Sequence, residues 1–538
     1  MTILSVIFVP LRLVTMLINI LGAKCIGIEA VPVTVEVDIT TGIGIHLVGL
    51  ADAAVRESLL RTITALQSLG FHIPGRKIVI NLAPADMQKN GSGYDLPIAL
   101  GIIAASGQKE LPGLGKYLIM GELGLDASVR EVQGALPFAD MAASRGLAGC
   151  ILPVRSALEA TECSGLNIFG VETLTEVLRI LEEREDCSDL LIWNTRIYNK
   201  LVRNASRNKA GAAPDISDLS DIIGQEGAKR GLEIAAAGGH NVMMVGPPGS
   251  GKSSLAKAMP GILPPMTTEE SIVTSKIYSV AGMKGSRIGL IRTRPFRAPH
   301  YSASLPAVIG GGAGQDIRPG EVTLAQNGIL FIDEFGQMPK SVLEALRGPM
   351  EDRKVTISRL RSKLEYPSSF MLVAASNPCP CGYYGSGDRC RCTPSQRAAY
   401  LSKLSGPVMD RIDIQLWLSP VDPAKLIGRK KGETSSAVAE RVLRARMLQR
   451  LRFGDEGIFT NAEMNNRQIE KYCALDRACS DVLEHIIAKL GLSARAYSRI
   501  LKVARTIADL AGSKEIKPEF LMEASGYRFL DRIGESMV

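Results

Sequence analysis

The sequence predicts a multidomain α/β protein with a parallel-sheet core. Three observations carry that expectation. The chain has 538 residues, more than one hydrophobic core can serve, so about three domains are expected. Near its middle a short apolar run, 242–245, passes into a glycine-rich loop and then a helical pattern opening near Lys252. Two further apolar runs, 328–332 and 370–376, end in polar residues, and from about Pro420 onward the pattern is helical.

The glycine-rich loop is the most informative stretch. Gly246, Pro247, Pro248, Gly249, Ser250, Gly251, Lys252, Ser253 and Ser254 fill the phosphate-loop pattern. Glycines let successive backbone N–H groups turn toward one anion, and the helix that follows adds partial positive charge at its N-terminus. Lys252 is placed to meet the outer phosphates of ATP, and Ser253 offers a hydroxyl to Mg²⁺. The run 328–332 ends in Asp333 and Glu334: the first suits Mg²⁺, the second the orientation of an attacking water. The run 370–376 ends in Asn377, a candidate for the same water-positioning set or a strand-end turn former. Arg411 follows a short helical segment, and Arg495 stands at the start of a late helix.

These motifs together resemble an AAA+ ATPase. Arg294-Pro-Phe-Arg-Ala-Pro-His300, Arg318-Pro-Gly-Glu321, Asn377-Pro-Cys-Pro-Cys-Gly382 and Ala504-Arg-Thr-Ile-Ala-Asp509 are more specific, and resemble the magnesium-chelatase-like ComM/YifB family from about Leu21 onward. The resemblance implies ATP and Mg²⁺ as cofactors, a hexameric ring, Arg411 as arginine finger and Arg495 as second sensor. It implies that Ile223 and Gly224, within Asp221-Ile-Ile-Gly-Gln225, lie over the adenine; the segment also reads as a turn before a helix at 226–237. The sequence departs from the family at Tyr301 and Gln326, where histidines are usual.

Hydrophobic content of 46% and charged content of 22% are ordinary for globular chains, and a net charge of +8 is compatible with nucleic acid without pointing to it. Ten cysteines unevenly placed argue against a disulphide framework and for a reducing, cytoplasmic setting. Cys379, Cys381, Cys390 and Cys392 form a Cys-x-Cys, eight residues, Cys-x-Cys tract; Zn²⁺, free thiols or a redox pair would each account for it. Residues 1–20 read as a non-native or disordered extension, with Met16 as the favoured start, although the apolar stretch could also be a signal peptide or anchor. No membrane partner is expected.

Residues 21–190 alternate strand-like and helix-like runs, among them 33–39, 42–49, 51–69 and 77–82. They resemble the fold of ribosomal protein S5 and the Lon protease domain. Ser92 is one residue from the position of the Lon nucleophile, occupied by Gly93, and no lysine stands in 129–138 where the base should be, so a non-catalytic domain is expected. Residues 191–214 read as a linker, 215–420 as the AAA+ core and 421–538 as a helical lid over the nucleotide. Between the phosphate loop and Asp333 the chain reads as a long functional loop carrying Arg292, Arg294, Arg297 and a glycine run at 310–314; the resemblance makes it an insertion facing a central pore. Residues 351–363 read as a hairpin whose cations, Arg353, Lys354, Arg359, Arg361 and Lys363, either meet a DNA backbone or are simply solvated.

Three functions are therefore weighed. The leading one is an ATP-driven ring motor on single-stranded or branched DNA; the resemblance implies branch migration or helicase activity in recombination of incoming DNA during natural transformation. The others are a chelatase-type ATPase remodelling a protein partner and a Lon-like ATP-dependent protease.

Overall fold

In the computed structural model the described residues are 17–50, 52–208, 217–283, 288–312, 317–359, 362–385, 389–404, 408–421, 432–491 and 493–532. The chain forms two compact units, one of residues 1–210 with 275–290, the other of 211–274 with 291–538.

The first unit is built on a seven-stranded mixed sheet. Its order is Ile45–Val48, Lys77–Ala83, Glu29–Thr40, Ile18–Ile26, Tyr117–Ile119, Gly149–Pro153 and Asn167–Val171. Alternation sets its core face: Val33, Val35 and Val37 are fully buried, as are Ile78, Ile80 and Leu82 on the neighbouring strand. Helix Asp95–Ala105 lies so close to this face that a Cβ on Gly101 would stand 2.4 Å from the Val37 side chain. Helix Ala53–Ser68 starts at Asp52, whose carboxylate accepts from the Val55 N–H at 2.8 Å.

Three expectations about these regions need correction. Residues 18–20 are not an extension: Ile18 pairs with Val37, and Ile20 is fully buried; residues 1–16 lie outside the described set. Much of the expected linker is helix, Arg196–Asn208, because Ile197, Tyr198 and Leu201 form a narrow apolar stripe packed against the first unit's core; 209–216 lie outside the described residues. The long loop before Asp333 is not structureless: it opens with helix Thr268–Val280, and residues 275–290 belong to the first unit. There Lys276 meets Glu29 and Asp140, each at 2.8 Å. Of the glycine run, Gly310 and Gly311 pair with Pro319 and Arg318, while 313–316 lie outside the described residues.

The second unit is organised by a five-stranded sheet in which every pairing is parallel. Its order is Phe296–Arg297, Ile329–Ile332, Met371–Ser376, Val242–Val245 and Ile414–Trp417. The 242–245 and 371–376 strands are buried throughout, as both-face coverage requires. Helix Glu226–Gly238 covers one face, with Gly231 against Leu416. The C-terminal helices Ser435–Phe453, Arg477–Leu490 and Ala494–Leu510 belong to this same unit and share its core; the side chains of Thr434, Asp476 and Ser493 cap them. Strands Lys354–Arg359 and Ser362–Pro367 form an antiparallel hairpin. Among the described residues no helix is long and apolar enough to cross a membrane.

Gly328 gives a test of the sheet. A Cβ there would lie 2.1 Å from the Pro295 carbonyl oxygen, which accepts the Ile329 N–H, so any side chain must push the paired strands away from each other. Gly328→Ala is expected to lower stability by about 1–3 kcal/mol, read from urea unfolding of the purified chain.

Candidate active site

Parallel strands end on a common edge, and the carboxyl edge of the second unit's sheet gathers the predicted nucleotide chemistry. Gly246 leaves strand Val242–Val245, Asp333 leaves Ile329–Ile332, and Asn377 leaves Met371–Ser376. The phosphate loop turns through Gly249 (φ +77°) and Gly251 (φ +92°), neither with any atom within 4 Å of a would-be Cβ, and enters helix Lys252–Ala258. Lys252 Nζ donates to the carbonyls of Gly246 (2.6 Å) and Pro247 (3.0 Å) and to Asn377 Oδ1 (3.4 Å). Among the described residues no carboxylate is in direct contact with it, and burial lowers its proton affinity despite the pull of Asp333 and Glu334. The buried Ser250 hydroxyl has no hydrogen-bond partner among the described residues. An open loop, a desolvated ammonium and an orphaned hydroxyl fit a polyphosphate.

Ser253 Oγ donates to Asp333 Oδ2 at 2.9 Å. Neighbouring oxygens round an octahedral Mg²⁺ stand about 2.9 Å apart, so this pair fits the ion. The other Asp333 oxygen accepts the Glu334 N–H at 2.9 Å. Glu334 adopts a left-handed φ of +51°, which turns the chain sharply at the strand end; its carboxylate makes no hydrogen bond among the described residues. Ser254 is exposed. Ile223 is half-buried and Gly224 has φ +69°, but the side chain that reaches the loop is the next one. Gln225 Nε2 donates to the carbonyls of Ser250 (3.0 Å) and Ser419 (2.7 Å), tying the segment to the phosphate loop. The sequence marks this segment but does not single out Gln225 within it.

The two predicted arginines stand elsewhere. Asn241, at the amino end of the phosphate-loop strand, donates to the Arg411 carbonyl at 3.0 Å and accepts the Leu372 N–H at 2.8 Å. From Asn241 to Gly246 the chain advances five residues, about 16 Å along the sheet, which exceeds an arginine's reach. Arg411 there pairs with Glu351, and Arg495 pairs with Asp410 at 2.6 Å. Both line a cavity of about 420 Å³, along with Arg353, Arg499, Lys502 and Glu463. Arg495, expected as second sensor, accompanies Arg411 on the amino edge. Glu351 and Asp410 were not foreseen, since no local pattern marks a carboxylate whose partner is 60 or 85 residues away.

Three of the five cations assigned to the hairpin have described side chains, and each has an acidic partner. Arg353 precedes it in a left-handed turn (φ +53°) and donates to Glu463 (3.0 Å) and Ser369 (2.9 Å). Lys354 and Lys363 share Glu365. Residues 360 and 361 and the Arg359 side chain lie outside the described set. Arg294 and Arg297 are paired with Glu270 and Glu321. Gln326, one of the departures from the family pattern, is structural: its Oε1 accepts the Ser369 N–H at 2.6 Å. In the first unit Ser92 donates to Glu122, and the buried Lys89 to the Pro84 carbonyl.

Comparison with known proteins agrees with this arrangement. The chain is 42% identical to "Competence protein ComM" of Haemophilus influenzae over 94% of its own length and 96% of that protein. It belongs to the ComM/YifB family of magnesium-chelatase-like AAA+ ATPases. "Uncharacterized protein YifB" of Salmonella typhimurium is 41% identical over the same shares. Family profiles described as "Magnesium chelatase, subunit ChlI", "Subunit ChlI of Mg-chelatase" and "Magnesium chelatase, subunit ChlI C-terminal" match residues 218–426, 35–156 and 432–528. A more distant likeness, 26% identity over 48% of this chain and 26% of the relative, is to "DNA replication licensing factor mcm6" of Schizosaccharomyces pombe.

A buried charge network fixes the amino edge in this family member. Asp413 accepts from Arg499 and faces His240 Nδ1 at 3.1 Å, and His240 Nε2 meets Thr506 at 2.8 Å. Burial alone would raise the Asp413 carboxyl, but Arg499 and His240 outweigh it and hold it well below the usual range. A carboxyl depressed on folding contributes stability that is complete above its ordinary value of about 3.9 and is lost as pH falls below it. Acid unfolding followed by tryptophan fluorescence should therefore show stability declining below about pH 4. Asp413→Asn should cost about 3 kcal/mol at neutral pH, leaving Arg499 without its counter-ion, and should flatten that acid decline.

Proposed function

We propose that this chain is an ATP-hydrolysing ring motor, a hexamer in the cytoplasm, that acts on single-stranded or branched DNA as a helicase or branch-migration enzyme in recombination of incoming DNA. The observation that carries the ring is the separation of Arg411 and Arg495 from Lys252: the arginines occupy the amino edge of the sheet, the phosphate loop the carboxyl edge. An arginine there serves a nucleotide only on another copy, and head-to-tail contacts of that kind close into rings. DNA is supported by the names of two relatives, a competence protein and a DNA replication licensing factor.

Each side chain then has one task. Lys252 holds the outer phosphates once it exchanges the Gly246 and Pro247 carbonyls for them. Ser253 and Asp333 would hold Mg²⁺, which would supply charge neutralisation to the phosphates. Glu334, whose carboxylate makes no hydrogen bond among the described residues, orients the attacking water, and Asn377, beside Lys252, assists. Arg411 and Arg495 of one copy stabilise charge developing on the next copy's nucleotide.

The reading is tested by ATP hydrolysis with and without forked or four-way DNA across a salt series. Stimulation that fades as salt rises is expected, because phosphate contacts release counter-ions. Stimulation by a protein partner and not by DNA would favour the chelatase-type alternative. Lys252→Ala should abolish nucleotide binding, whereas Glu334→Gln should bind ATP yet hydrolyse it about 10²–10⁴-fold more slowly, as measured by equilibrium binding and phosphate release. Arg411→Ala should bind ATP and lose roughly 10³–10⁵ in rate. Mixing it with Lys252→Ala should restore some of the turnover, since intact Lys252 sites would meet intact Arg411 from the neighbour. No gain, with mixed rings confirmed by native mass, would remove Arg411 from the interface.

A further inference from the structure

The cysteine tract after Asn377 closes on itself. All four sulphurs of Cys379, Cys381, Cys390 and Cys392 lie within 4.8 Å of one another. Cys379 to Cys381 is 3.4 Å, Cys379 to Cys390 is 3.8 Å and Cys381 to Cys390 is 3.7 Å. A disulphide bond needs about 2.05 Å, so these are free thiols. Four sulphurs about 2.3 Å from a tetrahedral Zn²⁺ stand about 3.8 Å apart, close to the spacings found.

The surroundings explain why a cross-link is needed there. Residues 389–393, Arg-Cys-Arg-Cys-Thr, contain no buried side chain, so no apolar core holds them. Yet the turn they meet is pressed against the nucleotide site. A Cβ on Gly382 (φ +83°) would lie 3.3 Å from Pro248 of the phosphate loop and 3.9 Å from Asn377. Gly385 (φ +85°) approaches Trp417 to 3.1 Å in the same sense. Tyr384 packs edge-on to Trp417, with ring centroids 6.1 Å apart, and Arg397 lies 4.5 Å over the Tyr384 ring. Trp417 itself is opposite Val245, the last residue before the phosphate loop.

We infer that Cys379, Cys381, Cys390 and Cys392 bind one Zn²⁺, and that this metal braces Asn377 and the phosphate loop so that ATP turnover depends on it. The site is structural, because four thiolates leave no open position for substrate. Arg389, Arg391 and Arg397 offset the net charge of two minus that four thiolates and Zn²⁺ leave. Asn377 and Glu334 are thereby separated in kind: Glu334 is set by its own strand end, Asn377 by a strand end and a metal two residues on.

This inference rests on the ATPase reading for its consequence but not for its metal. The full chain, purified without added metal, should contain one zinc per chain by elemental analysis, and Cys390→Ser/Cys392→Ser should lose it. Replacement by Co²⁺ should give the intense visible absorption of tetrahedral thiolate coordination. In a Trp193→Phe background, chelation should shift the emission of Trp417 and cut turnover at saturating ATP tenfold or more, up to about 10², with ATP binding largely kept. Absence of zinc with four titratable thiols, or iron and a coloured cluster in its place, overturns the site. Zinc present, but removable with no change in Trp417 emission or in turnover, overturns the brace. A fully zinc-loaded chain that hydrolyses no ATP would instead refute the ATPase reading, and the zinc content and Trp417 signal would still judge the site. If the double variant does not fold, chelation of the parent chain supplies the same comparison.

Discussion

Parallel pairing obliges the strands of the nucleotide sheet to begin together on one edge and end together on the other. Val242–Val245 is hydrogen-bonded on one side to Met371–Ser376 and on the other to Ile414–Trp417, in register, so three strand ends are fixed by backbone geometry before any side chain acts. Gly246, Asp333 and Asn377 converge for that reason, and for the same reason Asn241, Phe370 and Asp413 are gathered at the other end. The buried strands between the two edges supply rigidity through apolar contact.

The two edges are stabilised differently. The carboxyl edge is held by turns and backbone acceptors: a left-handed Glu334, the phosphate-loop glycines, and Gln225 spanning the Ser250 and Ser419 carbonyls. The amino edge is held by buried ions. Arg452 and Arg505 converge on Asp509, Asn461 joins Asp509 to Thr506, and Thr506 reaches His240 and so Asp413. Such a network gains little over apolar packing but is costly to break at one member, so it specifies one docking of the C-terminal helices on the sheet.

What was legible in the sequence follows from distance along the chain. The phosphate loop, the acidic strand end, Asn377 and the helix opening at Ser493 were readable because each is a local pattern: an apolar run, a turn former, a cap. The strand 242–245 and the helix from Lys252 fell where the pattern put them. Glu351, Asp410 and Gln225 were not readable, because their partners are brought near only by the sheet. Nor could sequence say which edge Arg495 would reach, since a cap marks where a helix begins and not what it faces. The 196–208 helix was missed because its inward-packing residues, Ile197, Tyr198 and Leu201, make too thin a stripe to separate from a linker.

The pairing of Arg411 with Glu351 has one more consequence. An anion that reaches Arg411 does so by displacing a carboxylate already there, one negative charge leaving as another arrives. Exchange of one anion for another keeps an anionic partner on Arg411. What it changes is the position of the displaced group. Glu351 lies in helix Arg347–Asp352, one turn before the hairpin that starts at Lys354, and Arg353 between them is anchored to Glu463. The root of the hairpin thus carries the carboxylate that such an anion would displace.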